Sequence, residues 1–140
     1  MLIYGQDHVL LPWAAERIGI ERFRDDARAI GQSRNGEINA VVVFDTFSPC
    51  DVNMHIASDG SSRWLTREFL VHAFAYPFIT CKLRRVTALV PASNAKALKF
   101  DRKLGFRDEG YFPHAMPDDD VVALGMLREH CRFIPKEFRQ

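Results

Sequence analysis

Residues 39–47 read NAVVVFDTF, and an apolar run with no alternation belongs to a strand covered on both faces. A chain built on such a strand needs a layer on each side of its sheet, and the flanking segments supply them. HVLLPWAAERIG (8–19) is amphipathic, with Asp7 as its cap and Pro12 near its first turn. Residues 21–30 read as a second helix, broken by the polar, glycine-bearing GQSRNGE. On the other side, DVNMHIAS (51–58) alternates, placing Val52, Met54 and Ile56 on one face and Asp51, Asn53 and His55 on the other.

Beyond the loop SDGSSR, the spacing of Leu65, Phe69, Leu70, Ala73 and Phe74 predicts a helix that stops near Pro77. RRVTALV is a strand ending at Pro91. Ser93 or Asn94 then caps AKALKFDRKL, Gly105 supplies a left-handed stop, and Lys99, Arg102 and Lys103 sit near the helix's negative end. Strands over 106–114 and 121–129 are joined by the turn signal MPDDD, and residues 2–4 form a short edge strand. The expected order is strand, helix, helix, strand, strand, helix, strand, helix, strand, strand. That is an α/β fold with a mixed sheet, because the strand–helix–strand portion needs a parallel crossover while the hairpins pair antiparallel. With no repeat and no low-complexity linker, residues 1–140 read as one domain.

Charge narrows the partners. Nineteen basic and 18 acidic residues give a formal charge of +1, so nucleic acid and anionic membrane are not favoured. Cys50, Cys81 and Cys131 are odd in number and form no C-x-x-C pair, which argues against a disulfide framework or a thiolate zinc site. No segment approaches ~20 apolar residues and no secretion signal is visible, so a cytoplasmic protein is expected.

The stretch NAKALKFDRKLGFRDEG (94–110), with Asn94, Ala97, Phe100, Lys103, Leu104, Gly105, Phe106, Glu109 and Gly110, resembles the carboxy-terminal half of the GNAT superfamily of acyl-CoA-dependent N-acyltransferases. The segments Trp64–Arg67 and Met126–Glu129 further resemble small members of bacteriophage or prophage origin. The resemblance implies a single GNAT-like domain that transfers acetyl from acetyl-CoA to a primary amine by direct attack in a ternary complex. It implies two central parallel strands that splay apart, with the pantetheine arm between them against backbone near Ile56 and Ala57. The pyrophosphate falls on the loop and helix start Gly60, Ser61, Ser62, Arg63, Trp64 and Leu65, where free N–H groups and the helix dipole favour an anion. Asn94 caps the next helix beside the cofactor, flanked by Phe100 and Lys103. No metal is implied. Such relatives often form homodimers, and the apolar FAYPFI (74–79) is the candidate surface.

The sequence departs from the family signature at two places. Arg63 and Leu65 stand where the phosphate loop usually holds small residues, leaving Arg63 to meet phosphate charge directly. Asp101 stands where many relatives carry a tyrosine that protonates the leaving thiolate, so Tyr76 or Tyr111 would have to supply that proton, or the thiolate leaves unprotonated. For the base, Asp51 and His55 lie on the polar face of the expected cofactor strand. The acceptor groove would be built by the first two helices and the final hairpin, with His114, Asp118, Asp119 and Asp120 near it. Two other readings remain. One is an inactive GNAT fold acting as a CoA-binding or interaction module. The other is a metal-dependent vicinal-oxygen-chelate protein with His55, Glu109 and His114 as ligands.

Overall fold

The computed structural model describes residues 1–140. Its strands are β1 (Leu2–Ile3), β2 (Arg28–Arg34), β3 (Glu37–Asp45), β4 (Asn53–Ser58), β5 (Arg85–Pro91), β6 (Arg107–Met116) and β7 (Asp119–Leu127). Its α-helices are α1 (Asp7–Ile18), α2 (Arg67–Ala75) and α3 (Ala95–Leu104). All seven strands form one mixed sheet in the order β1-β2-β3-β4-β5-β7-β6. No helix is long and apolar enough to cross a membrane.

The run that opens the chain's core is β3, where Ala40 through Phe44 are fully buried. Val41 and Val43 pack under α1 with Leu10 and Ala14, while Val42 and Phe44 face the larger core beneath α2 and α3. Both faces of β3 are thus covered. Phe74 joins the larger core to the chain's end, its ring stacked on Phe133 at 5.1 Å.

One expected helix is a strand. Residues 21–30 form no helix; a loop runs to Ala27 and β2 begins at Arg28, paired with β3 from Arg28↔Phe44 to Arg34↔Glu37. The physical signal was the dipeptide Asn35-Gly36. Both residues take positive φ (54° and 81°), as a two-residue hairpin turn requires, so GQSRNGE continues a strand into a hairpin and breaks no helix. Asp7 is likewise not the cap of α1. It lies in the first turn, and its Oδ1 accepts the N–H of Ala29 at 3.2 Å.

α2 ends at Ala75 and passes into a π-type turn, Tyr76–Thr80, with Pro77 at its start. Phe74, Pro77 and Phe78 are buried there, so these three residues of FAYPFI belong to the core, while Ala75, Tyr76 and Ile79 stay partly exposed. The α3 boundaries are those expected. Asn94 Oδ1 accepts the N–H of Ala97 at 3.1 Å, and Gly105, at φ 119°, lets the Phe106 N–H return to the carbonyl of Asp101 at 3.1 Å.

Candidate functional site

β4 and β5 are the only parallel neighbours in the sheet, and they pair at one position, Asn53↔Thr87. There the Thr87 N–H donates to the carbonyl of Val52 at 2.9 Å. Beyond it the strands separate. β4 stays paired to β3 along its whole length, from Asp45↔Asn53 to Ala40↔Ser58. Backbone groups alternate sides along a strand, so the residues in step with Val52 turn their N–H and C=O groups away from β3. Ile56 therefore aims both into the gap. Leu89, two residues past Thr87 on β5, does the same from the other bank.

The gap opens into a cleft of about 760 Å³. Its walls include Met54, His55, Ile56 and Ala57 of β4, and Ala88, Leu89 and Val90 of β5. α3 contributes Asn94, Ala97, Phe100 and Asp101, and the mouth is framed by Gly60, Ser61, Ser62, Trp64, Leu65, Lys96 and Arg17. Asn94, Ala97 and Asp101 are spaced three and four residues apart, so they share one face of the helix.

The mouth is held from behind by a polar network. Gln32 and Asn39 are buried polar residues in adjacent strands. Gln32 Nε2 donates to Asn39 Oδ1 at 3.0 Å and to the Trp64 carbonyl at 2.8 Å. The Thr66 hydroxyl donates to Gln32 Oε1 at 2.7 Å and accepts the N–H of Phe69 at 3.1 Å, capping α2. No acceptor meets the N–H groups of Ser62, Trp64 and Leu65. Trp64 itself packs between Phe69 and Phe100, with ring centroids 6.2 and 5.3 Å away.

Several expected site residues lie elsewhere. Asp51 does not border the cleft: its carboxylate accepts the Thr87 hydroxyl at 2.9 Å and lies 3.5 Å from Arg85 Nε, which locks it into the closed end. Arg63 and Lys103 do not line the cleft either. Ser61 does frame the cleft mouth, but its hydroxyl gives its hydrogen to Asp59 at 2.7 Å. Gly60 does take the bend, at φ 86°.

His55 is where the alternation put it, and it has a partner the sequence did not reveal. Its Nε2 lies 3.1 Å from Oδ1 of Asp45, a buried residue at the end of β3, and the Phe23 ring sits 5.7 Å from the imidazole. A carboxylate accepts only, so Nε2 carries the hydrogen and Nδ1 is left with its lone pair.

Asp101, which stands where many relatives carry a tyrosine, lines the cleft half-buried with no ion-pair partner, and burial pushes its carboxyl up to about 6. Arg102, next to it, is engaged with Asp108 at 2.9 and 2.7 Å. Tyr76 and Tyr111 are not cleft residues; the Tyr111 hydroxyl is bound to Asp120.

The metal reading finds no support in this geometry. His55 is bonded to Asp45, Glu109 to Arg85 at 2.5 Å, and no group of three His, Cys, Asp or Glu side chains is placed to hold an ion.

In overall fold this seven-stranded mixed sheet matches the GNAT N-acetyltransferases. Solved structures with this fold include a mutant spermidine N-acetyltransferase from Vibrio cholerae, 15% identical, with TM-score 0.69 over 90% of this chain and 76% of that one. The ribosomal-protein-S18-alanine N-acetyltransferase from Escherichia coli is 13% identical, with TM-score 0.63 over 91% of this chain and 92% of that one. No family model and no curated protein matches the sequence.

Proposed function

We propose that the protein transfers an acyl group, acetyl in the simplest case, from an acyl-CoA to an amine. The observation that carries this is the single-residue contact between β4 and β5. Everything past it leaves main-chain donors and acceptors of Ile56 and Leu89 facing an open cleft instead of each other. Unpaired backbone groups cost stability unless water or a ligand satisfies them. An extended pantetheine arm, with amides along its length, matches that requirement.

The rest of the cleft fits the same molecule. Ile56 and Ala57 would hold the pantetheine on one side and Asn94 and Phe100 on the other. The free N–H groups of Ser62, Trp64 and Leu65, at the loop entering α2, suit pyrophosphate oxygens, with Gly60 giving the bend. Arg17 and Lys96 at the mouth supply the cationic charge expected of Arg63. His55, hydrogen-bonded to Asp45 and open at Nδ1, takes the proton from the attacking amine. A backbone N–H in the gap, such as that of Ile56, faces the charge that develops on the acyl oxygen. The amine acceptor enters from the His55 face of the sheet.

Titration calorimetry with acetyl-CoA, followed by thiol release on adding spermidine or an alanyl peptide, tests the proposal. Binding with thiol release supports the enzyme; binding without release under any amine leaves the CoA-binding module; absence of binding removes both.

A further inference from the structure

Asp101 is a half-hidden carboxyl group with no hydrogen-bond donor and no cation, facing a cleft. The charged or titratable groups that share that cleft are Arg17, Lys96 and His55, and none forms an ion pair with it. On its own helix, Arg102 is bound to Asp108; from the chain's end, Arg132 donates to the carbonyls of Leu104 and Lys103 at 2.7 Å. A partly buried carboxyl without a partner is costly to keep ionised.

Its depth in the cleft can be read from the elements. The Asn94 N–H bonds the carbonyl of Pro91 at 2.9 Å, so α3 starts at the open end of β5 and runs back toward the closed end. Seven residues of helix carry the chain about 10 Å from Asn94 to Asp101. Three residues of strand cover about the same length, which leads from Ser58 back to His55 on β4 and from Pro91 to Ala88 on β5. His55 packs on the side of α1, near Val43 and Phe23, whereas α3 lies on the opposite face. The two groups thus reach one level of one cleft from opposite faces of the sheet.

Resting on the acyl-transfer reading above, we propose that the Asp101 carboxyl is the acid that returns a proton to the departing thiolate, opposite His55. The amine nitrogen bonds the carbonyl carbon and the carbon–sulfur bond breaks. His55 Nδ1 gains the proton the amine loses, and sulfur gains the proton from Asp101. Charge balances between an imidazolium and a carboxylate, and both reset through solvent. Transfer from a carboxyl to a thiolate of ordinary pKa, ~8.5, runs downhill. Burial already holds the carboxyl at about 6, and an acyl donor that displaces cleft water raises it further.

The consequence can be read without turnover. Calorimetry of acetyl-CoA binding at pH 6.5 in phosphate and in bis-Tris, buffers of different ionisation enthalpy, reports protons taken up on binding. Wild type is expected to take up roughly half a proton per site, and Asp101→Asn close to none. With an accepted amine, Asp101→Asn is expected to lose at least tenfold in kcat, bind acetyl-CoA at least as tightly as wild type, and lose the decline of rate at high pH. Carbon-13 titration of wild-type carboxyls gives an independent reading, with one resonance moving near pH 6 and shifting upward on adding acetyl-CoA. Equal proton uptake in both proteins, or no carboxyl whose midpoint responds to acetyl-CoA, overturns the assignment while acyl transfer stands. Failure of wild type to bind acetyl-CoA overturns both.

Discussion

His55 and Asp45 stand on adjacent strands, two residues out of direct register and so on one face of the sheet, with the imidazole Nε2 3.1 Å from the carboxylate. Because Asp45 is buried and fixed in β3, it sets the ring's orientation and tautomer, and under the proposed acyl transfer the Nδ1 lone pair takes the proton of the amine. Replacing His55 by Gln is expected to lower kcat about 100-fold with little change in acetyl-CoA affinity. Asp45→Asn should lower it less, because the imidazole remains but its tautomer is no longer dictated. Steady-state kinetics alongside calorimetry separates the two effects, and an equal rise in acetyl-CoA Kd would instead mark His55 as a binding residue.

Asp101 also makes a prediction about stability. Its carboxyl sits at about 6 in the folded chain and near 4 when unfolded, so between these values the native state binds more protons than the unfolded one. Stability from this group therefore falls as pH rises from about 4 to about 6, then stays low. Asp101→Asn removes the ionisable group and is expected to stabilise the protein by up to about 3 kcal/mol at pH 7 to 8, with the difference fading toward pH 4. Urea midpoints across that range decide it; a destabilised variant at pH 8 would mean the carboxylate has a partner.

The sequence made legible what depends on local periodicity. β3 showed as an unbroken apolar run, α3 as a capped helix with a glycine stop, and the two faces of β4 as an alternation. The missed strand β2 has Phe23, Ala27 and Ile30 upstream and within it at helical spacing, and its true marker was the turn pair Asn35-Gly36. Asp45 was missed because its partner lies ten residues away across a strand pair, and strand register is invisible before the turn is known. Arg17 and Lys96 were missed for the same reason in three dimensions: only folding brings the last turn of α1 and the first turn of α3 to one cleft mouth. Asp101 was visible as a letter, but whether a helical aspartate faces solvent or a cleft depends on what packs over it.

The cleft can be closed from one wall. Ala97 lies on the cleft face of α3, half-buried, one turn below Asn94 and one above Asp101. Because Ala97 lines the cleft, a phenylalanine there would fill part of it, and Ala97→Phe is expected to melt within a few degrees of wild type. It should nevertheless lose acetyl-CoA binding by at least 100-fold. Retained binding would place the ligand outside the splayed strands.

The cleft's closed end depends on a glycine. Gly125 of β7 lies beside the pair formed by Arg85 and Glu109, and a Cβ at this position would meet both side chains. Arg85 also reaches Asp51 at 3.5 Å, and Asp51 holds the Thr87 hydroxyl, so this pair belongs to the clamp that keeps β4 and β5 joined at their one contact. Gly125→Ala is expected to cost about 1–3 kcal/mol through overpacking. Double substitution with Arg85→Ala removes the obstructing guanidinium, so its cost should fall short of the sum of the singles. Strict additivity in urea denaturation would show that the glycine is required for a reason other than room for this ion pair.

Charge at the mouth gives the last test. Arg17 Cζ stacks 3.6 Å above the Trp13 ring and its Nη1 donates to the Trp13 carbonyl at 3.1 Å, so the guanidinium is held in place beside the loop after β4. Lys96 stands across the opening, in the first turn of α3. If these two meet the phosphates, Arg17→Ala and Lys96→Ala each weaken acetyl-CoA binding by about 5- to 20-fold and flatten its dependence on salt. Arg63→Ala and Lys103→Ala, whose side chains lie off the cleft, leave both quantities unchanged. Affinities measured at low and high salt for the four variants give the ranking, and a loss confined to Arg63 would return the phosphates to the position that the sequence signature first suggested.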